Sequence, residues 1–367
     1  MNTVPVTLFD HASRQLGELC DVAGLPPDDG RSLDVLRDLL DAAGRRPLGE
    51  PPLWPSDVAD DATPVEFSLA FDEGGNRAVR ILGETLPERP GPVANIEAAK
   101  RFLNRMAQRF DLSMDRFRAV EDLFLSEAPQ GKFALWFSVI LRPGRPPALK
   151  VYFNPQVRGR CAAPGLVEEA LRRLGLTDAH DTVARHATLR GEADQLSFFA
   201  LDLDDGPLSR VKLYISHDSA DAATVERAAR AVEGADPLAV REFLATVGGG
   251  TGPYTGRPLV SSYSFVEAYG GRPGNYSLYL PIRDYVPDDA VARDRVLAHF
   301  RRAGLPAGEL DRAIRAVTSR PAADGVGLIA HVSLRLGGFG SGATVYLSSE
   351  AYAVSPPRRV GAASAAW

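Results

Sequence analysis

The sequence predicts an α+β chain: a closed ten-stranded antiparallel β-barrel with a polar interior, ringed by α-helices in αββα repeats. Three observations predict it. A short phrase recurs four times, as Lys150-Val151-Tyr152, Lys212-Leu213-Tyr214, Ser277-Leu278-Tyr279 and Thr344-Val345-Tyr346. Its tyrosines lie 62, 65 and 67 residues apart, which marks an internal repeat. Hairpin-like segments alternate with pairs of helix-like ones. Within the hairpins, charged and tyrosine residues fall on one face and apolar residues on the other.

The elements follow in order. Two amphipathic helices are predicted over 6–23 and 30–44, closed by the Pro-rich stretch 46–55. Five hairpins come next: 64–72 with 77–84, 132–142 with 147–154, 195–204 with 209–216, 259–268 with 275–283, and 326–336 with 343–350. Their turns are marked by Asp72-Glu73-Gly74-Gly75-Asn76, Arg142-Pro143-Gly144-Arg145, Asp204-Asp205-Gly206-Pro207 and Gly270-Gly271. Helical pairs such as 221–233 with 236–247 and 288–303 with 309–319 separate them. Val291, Val296, Leu297 and Phe300 carry the helical spacing. Residues 1–60 therefore form an N-terminal helical segment packed on the barrel, 61–352 the barrel itself, and 353–367 a tail without periodicity, expected to be disordered.

Ten antiparallel strands with helices on one side suggest closure, because closure removes exposed edges. Side chains alternate along a strand, so Lys150, Tyr152 and Asn154 share one face and Val151 and Phe153 the other. Arg210, Lys212 and Tyr214 likewise oppose Val211, Leu213 and Ile215. The helices need an apolar surface to cover, so the Val/Leu/Phe faces point outward and the charged faces inward. A ten-stranded barrel is wide enough to hold a ligand.

The chain has 367 residues, a formal charge of −5 and a pI near 5.8, which argues against a general nucleic-acid binder. Two cysteines, Cys20 and Cys161, give no disulfide framework and suggest a reducing compartment. No basic region followed by an apolar run opens the chain, so no signal peptide is expected. No apolar stretch is long enough for a membrane span. The reading is a cytoplasmic protein, a monomer or weak homodimer, with neither nucleic acid nor membrane as partner.

The lysines carry more information. There are 42 Lys plus Arg, of which only four are lysines, and three of these, Lys132, Lys150 and Lys212, fall in predicted strands. Lys and Arg are not interchangeable at such sites. Converging Lys150, Arg210, Lys212 and Arg80 would crowd like charges into one confined space, with no acid in the same phrases to neutralise them. Such a cluster persists with an anionic partner, and a diphosphate fits in size and charge. The fourth and fifth hairpins add Ser277 and Arg335. Tyr152, Tyr214, Tyr279 and Tyr346, interleaved with the cations, would shield an allylic carbocation through their ring faces. Glu66 is the one acid expected inside the first hairpin, where it could accept a proton from an aromatic acceptor.

Other chemistries lack their signatures. The pairs Asp28-Asp29, Asp60-Asp61, Asp204-Asp205 and Asp288-Asp289 have no third Asp at the magnesium-binding spacing and read as turn and N-cap residues. His180 and His186 do not form a His-Glu-x-x-His site. Gly248–Gly252 and Gly338–Gly342 lack the strand-to-helix context of a phosphate loop and read as loops. No metal and no cofactor are expected.

With these residues in place, the chain resembles the αββα-barrel aromatic prenyltransferases, in particular their indole branch of the dimethylallyltryptophan synthase type, in a bacterial-like form. The resemblance covers about residues 60–350. It implies that Lys150-x-Tyr152, Arg210-x-Lys212-x-Tyr214 and Arg80 bind an allylic diphosphate. It also implies that Glu66 and Lys132 act beside the acceptor ring. Ser277 departs from the Gln or Lys of many relatives, and residues 195–204 offer no Arg to read an amino-acid carboxylate. The function expected is metal-independent transfer of a dimethylallyl group from dimethylallyl diphosphate to an indole, tryptophan or a tryptophan derivative. The alternatives are a phenolic or other aromatic acceptor, or a non-catalytic barrel that binds an anionic small molecule.

Overall fold

The structure is a computed structural model and describes residues 5–26, 30–72, 75 and 77–358. The chain opens with helices α1 (Leu8–Ala23) and α2 (Arg31–Gly44). Thr7 caps α1 by accepting the Asp10 N–H, while Asp10 accepts the Thr7 N–H in return. Gly24 closes the helix at φ 68°, a left-handed conformation that glycine adopts without a Cβ clash. The strands are β1 (Val65–Asp72), β2 (Arg77–Gly83), β3 (Leu135–Leu141), β4 (Ala148–Phe153), β5 (Asp194–Asp202), β6 (Val211–His217), β7 (Leu259–Phe265), β8 (Asn275–Leu280), β9 (Ile329–Gly337) and β10 (Gly342–Ser348). Each pairs antiparallel with its sequence neighbours, and β1 pairs with β10 to close the barrel. The predicted ten-stranded closed barrel is what forms, with hairpin ends within a few residues of expectation.

Helices α3 (Pro92–Arg109), α4 (Asp115–Phe124), α5 (Ala163–Arg173), α6 (Ala179–Ala187), α7 (Ala222–Ala229), α8 (Pro237–Phe243), α9 (Asp289–Arg302) and α10 (Ala307–Val317) complete the outer layer. The hydrophobic core lies between this layer and the barrel wall. Phe67, Phe137, Phe153 and Phe199 point outward and are fully buried. Phe102 of α3 meets Phe137 at 4.8 Å, Phe124 of α4 meets Phe153 at 5.0 Å, and Phe300 of α9 meets Phe71 at 5.0 Å. Each such ring stabilises the fold by about 1.5–3 kcal/mol of apolar burial. With the apolar faces committed outward, the polar faces have only the interior left to occupy.

Several expectations are corrected. Lys132 is not in a strand: Gly131 at φ 87° turns the chain and β3 starts at Leu135. Asp60 is more than a turn residue, because it pairs with Arg257 at 2.9 Å and with Arg283 at 3.0 Å. Asp288 does cap α9 through the Val291 N–H. Residues 353–358, expected to be disordered, are tied down: Val326 donates to the Ser355 carbonyl and the Arg358 N–H donates to Pro287. Asp28, Asp29, the turn residues Glu73, Gly74 and Asn76, and positions 359–367 lie outside the described residues.

Candidate active site

The strand register stacks the inward side chains in layers. Tyr152, Tyr214, Tyr279 and Tyr346 come from β4, β6, β8 and β10, and their ring centroids follow one another at 5.8, 5.8 and 5.9 Å. They form a continuous aromatic belt around part of the barrel. The equal spacing follows from the repeat: one tyrosine at the same height on every second strand.

Towards the end of the barrel where β1 finishes lies a layer of cations. Arg80, Lys150, Arg210, Lys212 and Arg335 line one cavity with Ser277 and the four tyrosines. Lys212 Nζ stands 5.0 Å from the Tyr214 ring centroid and 6.0 Å from that of Tyr279, and donates to the Tyr279 hydroxyl at 3.5 Å. Arg80 Nε is buried without a hydrogen-bond partner.

No acid stands in the phrases that carry these cations, but one outside them, on β5, neutralises part of the layer. Asp202, 6% exposed, pairs with Lys150 and accepts from Arg210 Nε at 2.6 Å. The signal was in the sequence: Asp202 shares the inward face of β5 with Phe198 and Ala200, opposite Lys150 in the register. One carboxylate against five cations still leaves a large positive excess. Burial would raise the Asp202 carboxyl, but Lys150 and Arg210 outweigh it and hold it below the usual carboxylate range. Burial lowers Lys150 to about 7, against the pull of Asp202 and with the push of Arg210 and Lys212. Burial also lowers Lys212. Tyr279 is the exception among the belt phenols. Burial alone would raise it, yet Lys212, Ser262 and Arg80 bring it down to about 8, whereas burial raises Tyr152, Tyr214 and Tyr346.

The opposite end is aromatic. Phe133 stacks on Trp136 at 4.2 Å, Trp136 lies 5.7 Å from Phe198, and Phe198 reaches Tyr214 at 5.7 Å. Glu66 belongs to this end, at the start of β1 and opposite Ser348 of β10. Burial pushes its carboxyl up to about 8, against the pull of Arg283. Arg283 also donates to His331 Nδ1 at 3.2 Å, so the imidazole, kept neutral by burial, carries its proton on Nε2. The sequence reading missed Trp136, Phe198, Arg283 and His331. β3 is apolar on both faces except for Ser138, so alternation was weak there, and Arg283 lies beyond the end of β8.

Lys132 does not join Glu66. Its side chain is 73% exposed at the rim, bound to Asp57 at 2.8 Å, in a cleft with Phe133 and Phe198. A second constellation looks catalytic and is sealed. Ser261 Oγ lies 2.9 Å from His217 Nε2, and Asp194 lies 2.7 Å from His217 Nδ1. Ser261 and His217 have no exposed surface, beneath the helices outside the barrel, so they hold the wall rather than act on substrate. Among the described residues no group of three or more His, Cys, Asp or Glu converges as a metal would need, and no helix is long and apolar enough to cross a membrane.

A helix-ringed barrel with a cation layer beneath an aromatic belt defines an aromatic prenyltransferase. The chain belongs to the tryptophan dimethylallyltransferase family, whose profile matches residues 13–313. It is 52% identical to 6-dimethylallyltryptophan synthase from Micromonospora olivasterospora, solved in complex with DMASPP and Trp, over 96% of this chain and 99% of that one, with a TM-score of 0.92. It is 40% identical to the prenyltransferase PriB, solved with L-tryptophan and dimethylallyl thiolodiphosphate, over 96% and 99% of the two chains at a TM-score of 0.89. Similarity to 5-dimethylallyltryptophan synthase from Streptomyces coelicolor is 39% identity over 96% and 98% of the two chains, with the same TM-score.

Proposed function

We propose that this protein transfers a dimethylallyl group from dimethylallyl diphosphate to the indole ring of tryptophan, at C6. One observation carries the reading: a cation layer holding one acid, directly beneath four tyrosine rings, with an aromatic chamber and a buried glutamate beyond them. Greater identity to a 6-dimethylallyltryptophan synthase than to a 5-dimethylallyltryptophan synthase supports C6.

In this mechanism Arg80, Lys150, Arg210, Lys212 and Arg335, with the Ser277 hydroxyl, hold the diphosphate. The allylic C–O bond breaks, its electron pair leaves with the diphosphate oxygen, and the growing negative charge is met by fixed cations. The carbocation lies against Tyr152, Tyr214, Tyr279 and Tyr346, whose ring faces stabilise positive charge and exclude water. The indole attacks through its ring carbon, and Glu66 stabilises the developing charge by accepting the indole N–H. The ring carbon then gives up its proton, which the released diphosphate takes up, and aromaticity is restored. Lys132 acts at the mouth, where its exposed ammonium can pair with the acceptor carboxylate. The arrangement calls for no metal and no cofactor. One chain completes the site, which fits a monomer, and a sequence with only two cysteines fits the cytoplasm.

The test is a panel of acceptors with dimethylallyl diphosphate, read by mass spectrometry: L-tryptophan, indole, L-tyrosine and a naphthol. Tryptophan should be the preferred acceptor. Preference for tyrosine or the naphthol would move the function to a phenolic acceptor, and no product with any of them would leave an anion-binding barrel.

A further inference from the structure

A second cavity opens at the end of the barrel where β1 finishes. It shares Arg80, Arg210, Arg335 and Phe339 with the deep cavity, so the two adjoin across these side chains, and it adds Arg142 and Arg145. Gly24, Gly75, Pro143 and Arg145 border it and are exposed, so it reaches the surface. Arg142 and Arg145 are set by the tight β3–β4 turn, in which the Arg145 N–H donates to the Arg142 carbonyl and Gly144 takes φ 66°. Among the described residues, Arg80, Arg142, Arg145 and Arg335 have no carboxylate at ion-pair distance, whereas Arg77 at the same mouth is paired with Glu309. Asp72 also lines this rim.

We propose that this arginine-lined mouth is a separate portal for the diphosphate group: the donor enters through it tail first, and the product diphosphate leaves by it. Arg142 and Arg145 are its outer anion site. The geometry of the layers supports this. The aromatic acceptor chamber lies beyond the tyrosine belt, at the far end. A donor entering there would have to carry its diphosphate through the aromatic chamber and past the tyrosine belt to reach the cations, and could do so only before the acceptor was seated. Through the arginine mouth it arrives with its allyl end towards the tyrosines and its charge trailing over Arg145, Arg142 and Arg335. Product diphosphate, the most negative species in the cycle, then has a route that the prenylated amino acid does not block. Crowded cations in a low-dielectric funnel also focus the field and raise association rates by about 10–10³-fold.

The inference rests on the proposed prenyl-transfer reading and is tested apart from it. Association of inorganic diphosphate and of L-tryptophan is followed by stopped-flow fluorescence at low and high ionic strength, in the wild type, in R142Q/R145Q, and in R45Q/R46Q as a control of equal charge change at the opposite end. In the wild type, diphosphate association should slow steeply with salt and tryptophan association should not. R142Q/R145Q should lower the diphosphate on-rate about tenfold at low salt and flatten its salt dependence, with tryptophan unaffected, and R45Q/R46Q should change neither. Unchanged diphosphate kinetics in R142Q/R145Q, or an equal loss for tryptophan, overturns the portal. A wild type that shows the diphosphate behaviour but makes no prenylated product sustains the portal and refutes the transfer reading.

Discussion

Lys212 holds its ammonium 5.0 Å from the centroid of the Tyr214 ring, in cation–π range, while also reaching the Tyr279 hydroxyl at 3.5 Å. The same rings thus border both the Lys212 ammonium and the cavity it lines. A positive charge formed above Lys212, as the diphosphate draws away, meets π-faces already oriented to hold it. The relationship couples leaving-group and carbocation stabilisation through one residue pair.

Lys212→Ala should therefore slow the chemical step as well as weaken donor binding. Removing one preorganised charge contact commonly costs about 10²–10³ in kcat. Single-turnover rates at saturating donor separate the two effects. A variant with unchanged rate and donor affinity contradicts the assignment.

Asp202→Asn should alter the pH dependence of diphosphate binding. Lys150 binds the anion as an ammonium, and in the empty site burial lowers it to about 7, so affinity is highest below pH 7 and falls as pH rises through that value. Asp202 pulls the ammonium upward, so its removal shifts the fall to lower pH, with about tenfold weaker binding at pH 8 for each pKa unit lost. Calorimetric titration with diphosphate at pH 6 and pH 8 reads this. A pH-independent change would reduce Asp202 to a packing role.

Glu66→Gln keeps the shape of the side chain and removes its charge. Turnover should fall by about 10²–10⁴ while tryptophan affinity changes little. At saturating donor the wild-type rate should rise with pH towards about 8, because the carboxylate is the active form. Stability runs the other way. The folded pKa is raised, so the stability linked to this proton is complete below about 4.5 and lost as pH rises through about 8. Glu66→Gln should melt higher than the wild type at pH 9 and near it at pH 4. Near-native turnover in the folded variant ends the catalytic claim.

Lys132→Ala should raise the KM for tryptophan while leaving kcat near the wild-type value, since its ammonium lies at the rim and not beside the reacting carbon. Steady-state kinetics at saturating donor distinguish this from a ring-proton relay, in which kcat would fall.

The barrel was legible because its signals are periodic. Tyrosines at one height in four hairpins, and alternation that separates Lys150 and Tyr152 from Val151 and Phe153, specify both strand register and facing. The cation layer was legible for the same reason. What escaped was set by tertiary placement. Asp202 could have been found by extending the alternation of β5 to its last residue. Lys132 looked like a strand lysine because the run after it is apolar, but Gly131 breaks the extended backbone at that point. His331 and Arg283 meet across 48 residues of sequence, and neither stands in a pattern that would flag the contact.

The most direct test uses L-tryptophan deuterated only at C6, dimethylallyl diphosphate and excess EDTA. The account predicts a mono-prenylated tryptophan that has lost its deuterium, formed at the same rate without chelator. Product that retains the deuterium places the new bond elsewhere on the ring. Loss of activity on chelation, restored by magnesium, would contradict ionisation by the side-chain cations themselves.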